Sequence, residues 1–122
     1  MSDQNRRKSE RLRFDKPLGA RFETVEVTIV DISFEGARIE HDFPLPAGKR
    51  VKLDFFWEEN EISLRCLVIR CKLEKRGNDA IYSSGVRFDG NDEETMAILR
   101  DYLKEIVERD FAARRAVLQA LA

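Results

Sequence analysis

The period of the apolar residues constrains this chain more than any other feature. Between Phe22 and Val30, Val25, Val27 and Ile29 alternate with Glu26 and Thr28, a repeat of two that places one face of a strand on a core. "RVKLDFFW" repeats the pattern, with Val51, Leu53 and Phe55 inward. Residues 62–74, "ISLRCLVIRCKLE", form a long aliphatic strand whose alternation slips near Leu67, the sign of a bulge or of a stretch covered on both faces. "AIYSSGVRF" is a last strand, with Gly85 inside it where a bulge or close backbone approach is expected. Turn signals separate these runs: "DISFEG", the proline-bearing "DFPLPAGK", the charged "EENE" and the Gly-bearing "KRGND". Five or six short strands without intervening helices predict an antiparallel barrel or sandwich, and 122 residues suffice for one domain with a modest core.

The two ends differ from this body. Residues 1–13 lack apolar periodicity and read as a flexible basic arm, with Pro17 and Gly19 marking where the folded part, 14–90, begins. After residue 90 the period becomes helical: Asn91 and Glu94 offer a capping box. Met96, Leu99, Leu103 and Ile106 then recur at three- and four-residue spacing. No Gly or Pro interrupts 91–122, so one long helix, or two with a kink near Asp110, closes the chain. Val107, Phe111, Leu118 and Leu121 extend its apolar surface past what a small barrel needs. That tail packs on its own barrel, self-associates into a homo-oligomer, or docks on an effector; Asp110 weakens a strict heptad seam.

Charge excludes some functions. The net charge is −1, yet residues 5–16 hold Arg6, Arg7, Lys8, Arg11, Arg13 and Lys16 against Glu10 and Asp15, while 89–110 carry eight acids against three cations. A single-stranded nucleic-acid grip needs aromatics interleaved with its cations, and only Phe14 lies near these. No nucleic-acid partner is expected. No apolar run is long enough to span a membrane, and no apolar stretch follows the N-terminal cations as a signal peptide requires; the expected compartment is the cytoplasm. Cys66 and Cys71 fit no zinc or redox spacing and, five apart in a strand, would face opposite sides of the sheet.

Catalytic chemistry is scarce. His41, the only histidine, sits beside a proline-bearing loop and reads as solvated surface. No HExxH, P-loop or GxSxG spacing organises the acids, and no catalytic or metal-ligating set is expected. Glu58, Glu59 and Glu61 read as a solvated loop, and Trp57 as core or edge packing. The arm offers more. Arg7 and Arg11 stand four apart, with Arg6 directly before; guanidinium groups bond phosphate oxygens and the O6/N7 edge of guanine in pairs. Alone, the arm reads first as a disordered basic tail. In "DISFEG", Asp31 is an acceptor suited to guanine's ring N–H and amine, Ser33 gives or accepts one bond, and Gly36 allows positive φ and close approach of a ligand. Alone, this stretch reads first as an Asp/Ser/Gly turn between two strands.

Together, Arg7-x-x-x-Arg11 and Asp31-x-Ser33-x-x-Gly36 resemble the two-part signature of PilZ domains, small bacterial receptors for the second messenger cyclic di-GMP. The likeness covers nearly the whole chain, since "LPAGKRVKLDF" resembles the family's mid-barrel segment and "SSGVRFDGND" followed by a helix its usual ending. The resemblance implies a mainly β fold: a six-stranded antiparallel barrel with a C-terminal helix and the ligand on its outer surface. It implies that Arg7 and Arg11 hold guanine edges and phosphates, that Asp31 and Ser33 hold the other base face, and that Gly36 gives room. Arg6, preceding the motif, would favour an intercalated pair of ligands over one. The implied protein is a non-enzymatic receptor with no cofactor, whose arm orders on the ligand and whose changed surface meets an unknown protein effector. The competing reading is an interaction adaptor working through its C-terminal helix.

Overall fold

A computed structural model describes residues 11–121. Six strands form a closed antiparallel barrel in the order β1-β2-β3-β6-β5-β4: β1 (Leu12–Phe22), β2 (Val25–Ile32), β3 (Gly36–His41), β4 (Arg50–Trp57), β5 (Asn60–Arg76) and β6 (Asp79–Phe88). One helix, α1 (Glu93–Leu121), follows without a break. The barrel closes where Arg21 and Phe22 of β1 meet Asp54 and Leu53 of β4. Three hairpins turn in two residues, at Glu23-Thr24, Glu58-Glu59 and Gly77-Asn78, with positive φ at Glu23, Glu58 and Gly77, as such tight loops demand.

The alternation reads through to the core. Val27, Ile29, Leu53, Phe55, Ile62, Leu64 and Val68 are buried, and closure lets one set of inward side chains serve all six strands. Val25, expected inward, flanks the turn of the first hairpin and is exposed. β1 carries its own pattern in Leu18, Ala20 and Phe22, which begins four residues before the first expected strand.

Three register shifts bend the strands: between Arg13 and Leu18, between Ile29 and Asp31, and between Val68 and Arg70. The last is the slip legible in the sequence, displaced to Ile69. It corrects the expected placement of the cysteines. One extra residue between them restores their common side, because Cys71 pairs with the fully buried Ser84 and packs against the core that contains Cys66. Burial pushes the Cys66 thiol up to about 12, leaving a core thiol rather than a nucleophile.

His41 is corrected as well: it is buried, not solvated. Its ring lies near-parallel to Tyr82, with centroids 6.1 Å apart. Nδ1 is 2.6 Å from the Phe43 carbonyl and Nε2 is 2.7 Å from Ser84 Oγ. A carbonyl only accepts, so Nδ1 carries the proton and Nε2 accepts from the Ser84 hydroxyl. Desolvation lowers the His41 pKa, against the opposing pull of the Phe43 carbonyl and Asp42. The unfolded chain therefore binds this proton more readily than the native one. Stability contributed by neutral His41 is whole above the unfolded value, near 6.5, and falls as pH drops below it towards the lowered native value. Urea unfolding at pH 7.5 and pH 5.5 should show that decline, and His41→Gln should flatten it. An equal slope in both proteins would remove His41 as its cause.

The helix seats on the barrel through Leu99 and Tyr102, both buried. Tyr102 packs its ring on Phe55 and Trp57, at 5.2 and 5.7 Å. Trp57 Nε1–H donates to Glu105 at 2.5 Å, and Arg109 bonds both Glu105 and Glu58, so the expected packing role of Trp57 includes a polar clasp on the helix. Asp92, not Asn91, is the N-cap: its Oδ1 accepts the Thr95 N–H at 2.8 Å, and that bond first, then the Thr95 hydroxyl, lowers its pKa. Asn91 instead bonds both backbone groups of Arg65 on β5, at 2.8 and 3.0 Å. Beyond Arg109 the helix leaves the barrel, with Phe111, Leu118 and Leu121 all more than 60% exposed. None of its residues from 93 to 121 forms a stretch apolar and long enough to cross a membrane.

Candidate functional site

The site is built on β2 and the turn after it. The shift between Ile29 and Asp31 inserts Val30 as an extra residue, so Ile29 and Ile32 both face the core while Asp31 faces outward. Its cross-strand neighbours are Arg13 on β1 and Arg38 on β3. Asp31 is nonetheless buried, because two arginines cover it. Arg11 donates to its Oδ1, and Arg38 Nε lies 3.3 Å from its Oδ2. Both arginines stay about half exposed, with side chains at 56% and 44%, against 8% for Asp31. The result is a sequestered carboxylate with both oxygens engaged, under a cationic cover open to solvent.

The structure thus brings Arg11 to Asp31, twenty positions apart in the sequence. Arg6 and Arg7 lie outside the described residues. Arg38 was missed by sequence reasoning. Its only signal is the register between β2 and β3, which a bulge sets and a linear motif does not contain.

Ser33 and Gly36 organise the turn. The Ser33 N–H donates to the Gly36 carbonyl at 2.8 Å, and Ser33 Oγ accepts the N–H groups of Glu35 and Gly36, both at 3.2 Å. Its hydroxyl proton goes to the Gly36 carbonyl at 3.3 Å. That last bond is the long one, and the carbonyl keeps the Ser33 N–H if the proton turns elsewhere. Ser33 therefore has one donor to offer without stranding an acceptor.

Gly36 departs from expectation. Its φ is not positive, unlike Gly48, Gly77 and Gly90. A Cβ here would sit 2.2 Å from the Val86 carbonyl oxygen and 3.3 Å from Arg87 Cα. The close approach that glycine permits is that of β6, where Gly36 pairs with Arg87, rather than that of a ligand. Glycine at this position brings the turn hard against β6.

Among the described residues no cluster of His, Cys, Asp or Glu could hold a metal. The one outward carboxylate under paired guanidiniums is suited to exchanging its partners for a ligand with two adjacent N–H donors, while the guanidiniums take that ligand's acceptors.

The comparisons with known proteins agree with the architecture. MrkH from K. pneumonia, in its apo state, superposes with a TM-score of 0.68 at 18% identity, over 87% of this chain and 52% of MrkH. This chain therefore spans about half the length of that protein, and at such identity the likeness is one of fold. No curated protein sequence matches. The PilZ domain model matches residues 5–105, from the basic arm through the barrel to the seated half of the helix, and the chain belongs to the PilZ domain family.

Proposed function

We propose that this protein is a non-enzymatic receptor for cyclic di-GMP. One observation carries the reading: Arg11 and Asp31, from the two halves of the motif, meet on the outer face of the barrel. In the ligand-free protein Arg11 and Arg38 neutralise Asp31. A guanine presents its ring N–H and exocyclic amine as two parallel donors, and these replace the guanidiniums on the carboxylate. Arg11 is then free for the O6/N7 edge or a phosphate, joined by Arg7 and Arg6 from the arm. The Ser33 hydroxyl turns its proton from the Gly36 carbonyl to the ligand. Binding draws the arm against the barrel and alters a surface that a protein effector reads. Arg6 ahead of the motif favours an intercalated pair of nucleotides.

Calorimetric titration of the folded chain with cyclic di-GMP tests this directly. Binding that weakens with added salt is expected, since the contacts are ionic; absence of heat and of any spectroscopic change would refute it.

The exposed end of α1 favours a second reading, an adaptor that associates through Phe111, Leu118 and Leu121. Light scattering after size exclusion separates the two. If the helix end drives self-association, the full chain should run as an oligomer and a chain ending at Arg109 as a monomer, with nucleotide affinity unchanged. Equal monomeric masses would remove that reading.

A further inference from the structure

We propose that the outer face centred on Gly85 is the second half of the nucleotide site, where Arg70 and Arg87, with Arg38 between them and Asp31, hold the ligand's phosphodiester groups. The inference rests on the reading of the chain as a cyclic di-GMP receptor. The row containing Asp31 continues around the barrel: Asp31 pairs with Arg38, Arg38 with Gly85, and Gly85 with Arg70. All point outward, because Ile39, Ser84, Val86 and Val68 beside them are buried. Arg87, two residues past Gly85 on the same face, stands opposite Gly36.

Gly85 leaves bare backbone at the centre. Unlike Gly36, it is not required by the fold, since a Cβ there would meet only Arg70 Nε at 3.6 Å and Cγ at 3.7 Å, ordinary contact distances. Those same distances show that the Arg70 side chain lies across β6, directed from β5 towards Arg38. At strand spacings of about 4.8 Å, the Arg38 and Arg70 backbones are about 10 Å apart, and the Arg70 side chain lies over the β6 backbone between them.

Two carboxylates of this face are already engaged, Asp31 by Arg11 and Arg38, and Glu40 by Arg76. Neither Arg70 nor Arg87 forms an ion pair with a described residue. Cations gathered along one row, continuous with a guanine-reading carboxylate, fit an anion attached to that guanine. A phosphodiester meets both the charge and the two-oxygen geometry that guanidinium favours.

The test is titration of the full chain with cyclic di-GMP in wild type, Arg70→Gln, Arg87→Gln and the control Lys52→Gln, which removes the same charge from β4. Each site variant should lose about tenfold or more in affinity and show a shallower dependence on salt. The control should bind within twofold of wild type, and thermal unfolding should match across all four. A wild-type protein that binds no nucleotide overturns the receptor reading and this inference with it. Wild-type binding with Arg70→Gln and Arg87→Gln no weaker than the control overturns this inference alone.

Discussion

Asp31→Ala should weaken cyclic di-GMP binding by at least about a hundredfold while leaving the barrel folded. Hydrogen bonds to a charged group contribute about 1.5–3 kcal/mol each, and the proposed pose directs two guanine donors at this carboxylate. Losing both removes about 3–6 kcal/mol by that measure. The fold has less at stake. Asp31 faces outward, and its partners Arg11 and Arg38 are about half exposed, so water takes over their hydration when the carboxylate goes. Removing the carboxylate leaves no unpaired charge buried, since both guanidiniums reach water. Asp31→Asn separates charge from shape: its amide keeps one acceptor and turns an N–H₂ group towards a donor edge, so it should bind little better than alanine. Calorimetry on both variants, with circular dichroism to verify folding, checks this. Affinity retained within threefold in Asp31→Ala would mean that the guanine is read elsewhere.

The architecture was legible because alternation is a local property. Val27, Ile29, Leu53, Phe55 and Leu64 declare their face in the sequence and are buried accordingly. β1 was less legible, since Lys16 breaks its apolar series and Pro17 and Gly19 imitate a boundary. The register shift between Arg13 and Leu18 accommodates that interruption, and bulges are where proline is tolerated in a sheet. His41 was misread because its burial depends on Ser84 and Tyr82, three strands later in the sequence but adjacent in the barrel.

At the site, the motif residues were legible by type and spacing, but their roles depended on register. Asp31 points outward only because Val30 is an extra residue, and the same shift selects Arg38 as its neighbour. Had β2 been regular, a residue two after the buried Ile29 would have faced the core. An irregularity of one residue thus turns a core position into an outward-facing acid. No linear pattern announces which arginine it will meet.

Gly36 gives the largest expected effect on the fold itself. Gly36→Val should cost at least about 3 kcal/mol, the upper end for overpacking a buried position, because the new Cβ would stand 2.2 Å from the Val86 carbonyl oxygen. That neighbour is backbone in a paired strand and cannot swing aside as a side chain would. Relief requires β3 and β6 to separate where Gly36 pairs with Arg87. Separation also disturbs the Ser33–Gly36 bonds that shape the turn, so nucleotide binding should fall together with stability. The melting temperature should drop on the order of 10 °C. Gly85→Ala is the matched control, one strand away on the same face: its Cβ meets only the Arg70 side chain at ordinary distances, and stability should stay within about 0.5 kcal/mol. Urea unfolding of both variants decides the matter. Equal stability in Gly36→Val and wild type would show that β3 and β6 do not approach as closely as the pairing requires, and the placement of Arg87 beside the motif turn would go with it.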